Sequence, residues 1–237
     1  ERESAEARRV RATVLRGSTG GDKGTFGELI EPKQRFDGIR RLDDAHAGGV
    51  IGPHCRGLAA ELGLERQVDV QMGTLSKALG VSGGYVCGSR SLIDWLINRA
   101  RSFIFSTAPP PALAAAATAA IEFLGTAEGE ERRLTLWKRI VRLLEKLPAA
   151  PTTSARTNSA IIPWIVGDEQ RALDLARSLQ QEGLLVPAIR YPTVAKGAAR
   201  LRITVRAAPT GAQTVPLAEP LRPHAACGGG PGRGGRG

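Results

Sequence analysis

"QMGTLSKALGVSGG" (residues 71–84) sets one lysine, Lys77, in a stretch of small and apolar residues. Gly73, Thr74 and Ser76 precede it, and Gly80, Ser82, Gly83 and Gly84 follow. A lysine kept only for solubility normally has charged or polar company, and a solvated surface charge is the simpler reading for a lone lysine. The local sequence argues otherwise: glycines expose backbone amides and the hydroxyls can gather round an anion. "VDVQM" before the lysine reads as a strand and "GGYVCG" after it as another, so Lys77 is expected on the loop between them.

Upstream, "LDDAHAGG" (residues 42–49) places Asp43, Asp44 and His46 before Gly48 and Gly49. A carboxylate and an imidazole at a strand end beside a flexible turn are where α/β sheets build sites. Taken alone, the motif is read as simply as a capping aspartate and a histidine satisfying loop backbone. A metal site from Asp43, Asp44, His46, His54 and Cys55 lacks any standard ligand spacing. Between His46 and Lys77 lie a short helix, "RGLAAELGL", and the strand "VDVQM", the length of one parallel crossover unit. That unit would bring two strand ends together, with Lys77 near the Asp–His pair. A lysine beside a carboxylate, a histidine and an anion cradle suggests pyridoxal phosphate chemistry: an imine to the lysine, a phosphate on hydroxyls and amides, and a pyridine nitrogen on an aspartate.

The rest of the chain alternates helices with strands, which predicts an α/β fold with an at least partly parallel sheet. "SLIDWLINRA" (91–100) reads as a helix with Ile93, Leu96, Ile97 and Ala100 on one face, and "SFIFS" (102–106) as a short buried strand. An alanine-rich helix runs from the prolines at 109–111 to about Gly125, and "RRLTLWKRIVRLLEKL" continues in helical period. After the loop "PAAPTTSARTN" comes "SAIIPWIV", a strand that Pro163 makes an edge or irregular one. Residues 168–182 form an amphipathic helix with Ala172, Leu175, Ala176 and Leu179 on one face and Gly183 as its stop. "LLVPAI" and "RLRITV" close the region as strands. Three zones result: an irregular segment 1–42, an orderly α/β region from about residue 43 in which the proline loop near 148–151 suggests a second, smaller α+β lobe, and a disordered Pro/Gly/Arg tract 209–237.

Bulk composition narrows the function classes. The chain has 237 residues, 42% of them hydrophobic, and no apolar run near the roughly 20 residues that span a bilayer. "ERESAEARRVRATV" lacks the apolar centre of a secretory signal, and Cys55, Cys87 and Cys227 form no C-x-x-C pair. A cytoplasmic protein without membrane or metal is expected. The net charge of +10 is scattered and only 4% of residues are aromatic, so nucleic acid is not the expected partner. The "GRGGRG" end keeps one rival reading, a tail contacting nucleic-acid phosphates.

Three separated pieces, "DDAHAGGVIG", "VQMGTLSKALGVSGGYVCGSRSLIDWLINRARSFIFSTAPPPALAAA" and "VPAIRYPTVAKGAARLRIT", strongly resemble the α-oxoamine synthase family of fold-type I pyridoxal phosphate enzymes. The likeness covers about residues 43–208, and the last piece looks most like the branch that serves biotin synthesis. The resemblance implies an aspartate aminotransferase-like α/β fold with a partial large domain over 43–124 and a small C-terminal α+β domain over 125–208, a homodimer, and pyridoxal 5'-phosphate as cofactor. It implies Lys77 as the imine-forming lysine, Asp43 on the pyridine nitrogen, His46 on the phenolic oxygen and Thr74 on the phosphate. Ser106 and Thr107 would contact the phosphate of the neighbouring subunit, and Arg202 would hold the amino-acid carboxylate. The implied reaction is the decarboxylative condensation of L-alanine with pimeloyl-CoA or pimeloyl carrier protein to 8-amino-7-oxononanoate. Glycine C-acetyltransferase and other sister activities share the core motifs. The front is short against the family, without its glycine phosphate loop and ring-stacking histidine, so an N-terminally truncated chain, as an inactive fragment or non-catalytic remnant, is an alternative expectation. "GIRRLDDAH" also departs from the family: Arg40 and Arg41 stand where a central strand would bury apolar residues, at a cost of several kcal/mol if unpaired.

Overall fold

The computed structural model describes residues 10–14, 39–147, 159–207 and residue 221. Among them, those up to Arg133 form one compact unit and those from Leu134 onward a second. The expected loop 148–158 and nearly all of the 209–237 tract lie outside the described residues.

The first unit is built on a four-stranded sheet in the order β1 (Val10–Val14), β2 (Ile39–Asp43), β3 (Val70–Thr74), β4 (Gly84–Gly88). β1 pairs parallel with β2 and β2 with β3, whereas β4 returns antiparallel to β3. Strand β1 falls within the stretch that the sequence pattern leaves irregular, and β2 begins before residue 43.

Successive side chains of a strand point to opposite faces, and in β2 this separates the two arginines. Arg41 is exposed, while Arg40 is 4% exposed and lies on the same face as the fully buried Leu42. The Arg40 guanidinium is not left bare: Nη1 donates to the Gln67 carbonyl at 3.0 Å, and the Arg40 amide donates to Asp69 Oδ2 at 2.7 Å. The expected burial penalty is met by pairing on one side and by solvent on the other.

The connection from β2 to β3 contains a tight turn, a short 3-10 turn at Pro53–Cys55 and a four-residue helix, α1 (Leu58–Glu61). Ala47, Ile51, Leu58 and Ala59 are buried with Leu42 beneath it. After β4, α2 (Arg90–Arg99) starts at Ser89, whose Oγ accepts the Leu92 amide at 3.3 Å. The expected face of α2 is only half formed, since Ile93 and Leu96 are half-buried and Ile97 is exposed. "SFIFS" is not a buried strand. Residues Arg101–Ile104 form a short helix, α3, with Phe103 and Phe105 exposed. The amides of Phe103, Ile104 and Phe105 bond back to Ala100 and Arg101 carbonyls, so these groups are satisfied locally without a neighbouring strand.

Helix α4 (Pro111–Leu124) opens on a proline whose missing N–H costs nothing in the first turn, and Gly125 caps its end. Helix α5 (Ala127–Lys146) follows, and the division between the units falls inside it.

The second unit carries a three-stranded antiparallel sheet in the order β5 (Ile161–Gly167), β7 (Ala199–Thr204), β6 (Ala188–Ile189). β5 is an edge strand, the place that Pro163 permits. "LLVPAI" contributes only its last two residues as β6; the Pro187 carbonyl still accepts the Arg202 amide at 2.9 Å. Helix α6 (Glu169–Gln181) is capped by Asp168, whose Oδ1 accepts the Arg171 amide at 2.7 Å, and Gly183 after it has φ 80°. Ala172, Leu175 and Leu179 are buried along α6, as are Ile162, Trp164, Leu201 and Ile203 from the sheet. Each large side chain removed from water in this way contributes on the order of 1.5–3 kcal/mol.

Candidate active site

The site grows from the adjacent ends of β2 and β3. Asp43, the last residue of β2, stands in register with Met72, and the Asp44 amide donates to the Met72 carbonyl at 2.8 Å. Asp43 Oδ1 then accepts the Ala45 amide at 3.1 Å, an Asx turn that bends the chain off the sheet. The Ala47 and Gly48 amides both reach the Asp44 carbonyl, which coils the turn carrying His46. His46 is half-buried there.

The two neighbouring aspartates have different surroundings. Asp43 is half-buried at the strand end, whereas Asp44 is 2% exposed. Asp44 Oδ2 accepts the Leu58 amide at 2.9 Å and Gln71 Nε2 at 3.2 Å, so its carboxylate ties the turn to α1 and to β3. A Cβ on Gly57 would fall 1.8 Å from that same oxygen, and Gly57 has φ 91°, so only glycine lets the chain pass.

Lys77 occupies the loop that joins β3 to the antiparallel β4. Thr74 pairs with Gly84 at its base, and the Leu75 amide donates to the Gly83 carbonyl at 3.0 Å. The Val81 amide donates to Leu75 and the Gly80 amide to Lys77, closing the loop on itself. Gly80 and Gly83 take φ values of 68° and 130°, in the left-handed region. Thr74 Oγ1 donates to the Gly83 carbonyl at 3.1 Å, accepts the Ser76 amide at 3.2 Å and lies 2.7 Å from Ser76 Oγ. Lys77 is exposed and enters none of the ion pairs of the described residues.

The turn and the lysine loop touch. A Cβ on Gly49 would come 2.5 Å from the Ala78 methyl, beside Lys77. Thus Asp43, His46, Thr74 and Lys77 lie on two abutting segments of one unit. Ser106 and Thr107 belong to that unit too, exposed between α3 and α4, with Ser106 Oγ 3.5 Å from the Thr107 carbonyl. Arg202 belongs to the second unit, half-buried in β7 opposite Pro163. Among the described residues no cluster of His, Cys, Asp and Glu could hold a metal ion, and no helix is long and apolar enough to cross a membrane.

Sequence reasoning named Asp44 beside Asp43 without giving it a role of its own, and passed over Gln71 and Tyr85. Tyr85 pairs with Gly73 across β3 and β4, and burial, then the Asp44 and Cys87 charges, push its phenol above the ordinary range. Only the cross-strand register puts it here; the strand reading of "GGYVCG" was its one trace in the sequence.

A family model for aminotransferase class I and II matches residues 22–221. The chain belongs to the aminotransferase class I and II family. This match begins earlier and ends later than the motif likeness over 43–208. Within this enzyme family, the 8-amino-7-oxononanoate synthase of Thermoanaerobacter pseudethanolicus is 42% identical over 204 residues, covering 85% of this chain and 51% of the relative. That of Anaeromyxobacter dehalogenans is 45% identical over 196 residues, covering 83% of this chain and 49% of the relative. Among solved structures, the serine palmitoyltransferase of Sphingomonas wittichii superposes with a TM-score of 0.85 at 28% identity, covering 94% of this chain and 56% of that one. The serine palmitoyltransferase of S. paucimobilis, solved with a PLP–myriocin adduct, gives 0.82 at 28% identity, covering 90% and 54%. The fold of this class I and II aminotransferase relative is therefore fold-type I. The chain spans about half the length of the curated relatives it matches.

Proposed function

We propose that this chain carries the lysine-bearing part of a pyridoxal phosphate-dependent acyltransferase that condenses L-alanine with a pimeloyl thioester to give 8-amino-7-oxononanoate. The observation that carries this reading is the likeness, at 42–45% identity over more than four-fifths of the chain, to synthases of that name.

The residues present fit the cofactor. Lys77 offers an exposed amine outside any ion pair of the described residues, next to hydroxyls and glycine amides. Asp43 offers a carboxylate on the neighbouring strand end, already oriented by the Ala45 amide. When bound, pyridoxal phosphate supplies an electron sink for charge developing at the amino-acid Cα.

The chain's own residues do the rest. Lys77 holds the cofactor through its amine and moves a proton at the substrate Cα. Asp43 keeps a proton on the pyridine nitrogen, and His46 bonds the phenolic oxygen. Thr74, by turning its hydroxyl from the Gly83 carbonyl, donates to the phosphate. Arg202, in the second unit, is the residue the resemblance gives to the alanine carboxylate, a task a guanidinium suits. Ser106 and Thr107 reach the phosphate of a neighbouring subunit in a homodimer. In the overall reaction the alanine Cα bonds to the thioester carbonyl carbon, the thiol of coenzyme A or carrier protein leaves, and the alanine carboxyl departs as carbon dioxide.

The test uses the purified full chain with added pyridoxal phosphate. The reading expects an imine absorption band, and borohydride then fixes the cofactor on Lys77. A missing band in the wild-type chain, or one that persists in Lys77→Ala, overturns it. With the band present, product formed from alanine and pimeloyl-CoA tests the substrates.

A further inference from the structure

Tyr85 has none of the roles above, yet it touches both segments of the site. Across the β3–β4 ladder it faces Gly73, where a Cβ would lie 2.3 Å from the phenol Cζ and from its oxygen. The ring therefore rests on bare backbone at the residue before Thr74. The hydroxyl oxygen lies 3.2 Å from the place a Cβ on Gly48 would take, on the turn that carries Asp43 and His46. One residue further, Gly49 meets Ala78 beside Lys77. Three glycines thus make room for one aromatic side chain and one methyl at the seam between turn and loop. A side chain that only filled a core would be buried by apolar neighbours, whereas Tyr85 is half-buried against two backbones.

We infer that Tyr85 is a positioning residue: its ring, seated on Gly73, and its hydroxyl, set against Gly48, together fix the spacing between Asp43 and Lys77. The consequence for chemistry rests on the reading that these two residues grip one cofactor, because a displacement of about 1 Å between such groups costs on the order of a hundredfold. The hydroxyl carries the contact with Gly48, so phenylalanine keeps only the contact with Gly73.

The experiment compares the full wild-type chain with Tyr85→Phe, Tyr85→Leu, Gly48→Ala and the double variant Gly48→Ala/Tyr85→Phe. Three quantities are read: the pH midpoint of the imine band, the dissociation constant for pyridoxal phosphate, and amide exchange of residues 44–50 and 75–83 without cofactor. Tyr85→Leu is expected to move the midpoint, weaken binding about tenfold or more and speed exchange in both segments together. Tyr85→Phe, which loses the contact with Gly48 alone, is expected to fall between wild type and Tyr85→Leu on all three. If Tyr85→Leu lowers thermal stability but leaves midpoint and affinity unchanged, the inference is overturned; it is also overturned if Tyr85→Phe matches wild type on all three. Should Tyr85→Leu fail to fold, Gly48→Ala decides: it crowds the hydroxyl and shifts the midpoint, and adding Tyr85→Phe restores it, whereas no restoration sinks the idea. If the wild-type chain shows no imine band, the functional reading fails, and exchange alone judges Tyr85: joint acceleration of both segments upholds the positioning, acceleration of one segment refutes it.

Discussion

Strands β2 and β7 each carry two arginines inside a sheet, and they accommodate them differently. In β7, Arg200 and Arg202 are two apart, so both fall on one half-buried face while Ala199, Leu201 and Ile203 are buried on the other. In β2, Arg40 and Arg41 are adjacent, so parity sends one to solvent and one inward beside Leu42. β7 follows the ordinary alternation of a sheet with one apolar face. β2 needs a specific acceptor, the Gln67 carbonyl, to keep its inward arginine. The first unit is held near its site by buried polar pairing at Arg40 and Asp44, the second by apolar packing.

Substitutions that remove one support at a time sharpen this contrast. Leu201→Ala, at a fully buried position of β7, is expected to destabilise the chain by about 3 kcal/mol in denaturant unfolding. Arg40→Ala should cost about 2 kcal/mol, because it leaves a cavity and strips the Gln67 carbonyl of its donor. A loss below that of Arg41→Ala would break the claim that pairing supports β2. Asp168→Ala, which removes the α6 cap, is expected to cost about 1 kcal/mol.

Alkaline pH gives a smaller effect, read as a slope. Burial pushes the Cys55 thiol and the Tyr85 phenol above their ordinary values of 9.0 and 10.0, Arg133 partly offsetting the shift at Cys55. The folded chain keeps these protons where the unfolded chain releases them. Their contribution is thus complete below about pH 9 and lost as pH rises through the raised folded values. Unfolding free energy measured against pH should fall on that side, and Tyr85→Phe should flatten the upper part of the fall. Smallest of all, Arg41→Ala should change stability by less than about 0.5 kcal/mol, since its side chain is exposed.

Much of the fold was legible where periodicity and caps agree. Helix α6 announced its buried face, its Asp168 start and its Gly183 stop, and Pro163 marked β5 as an edge. "SFIFS" misled because three consecutive apolar residues carry no period that separates strand from helix, and here their amides close on carbonyls four residues back or fewer. "LLVPAI" misled because residues before Ala188 run unpaired as strand. At the site, the segments bearing Asp43, His46 and Lys77 could be placed side by side from one crossover length. Asp44 and Tyr85 could not be assigned, since their partners, Leu58, Gln71 and Gly73, are chosen by tertiary closure and strand register.

The antiparallel return of β4 has a consequence for the order of folding. The parallel pairs must join distant stretches, Val10 with Ile39 and Arg41 with Val70, before either is rewarded. The Lys77 loop closes a hairpin between Thr74 and Gly84, a local event on the scale of about 1–10 μs. Low sequence separation makes it the cheapest part of the sheet to assemble. Lys77 is thus set in its loop early, and the turn after Asp43 must come to it.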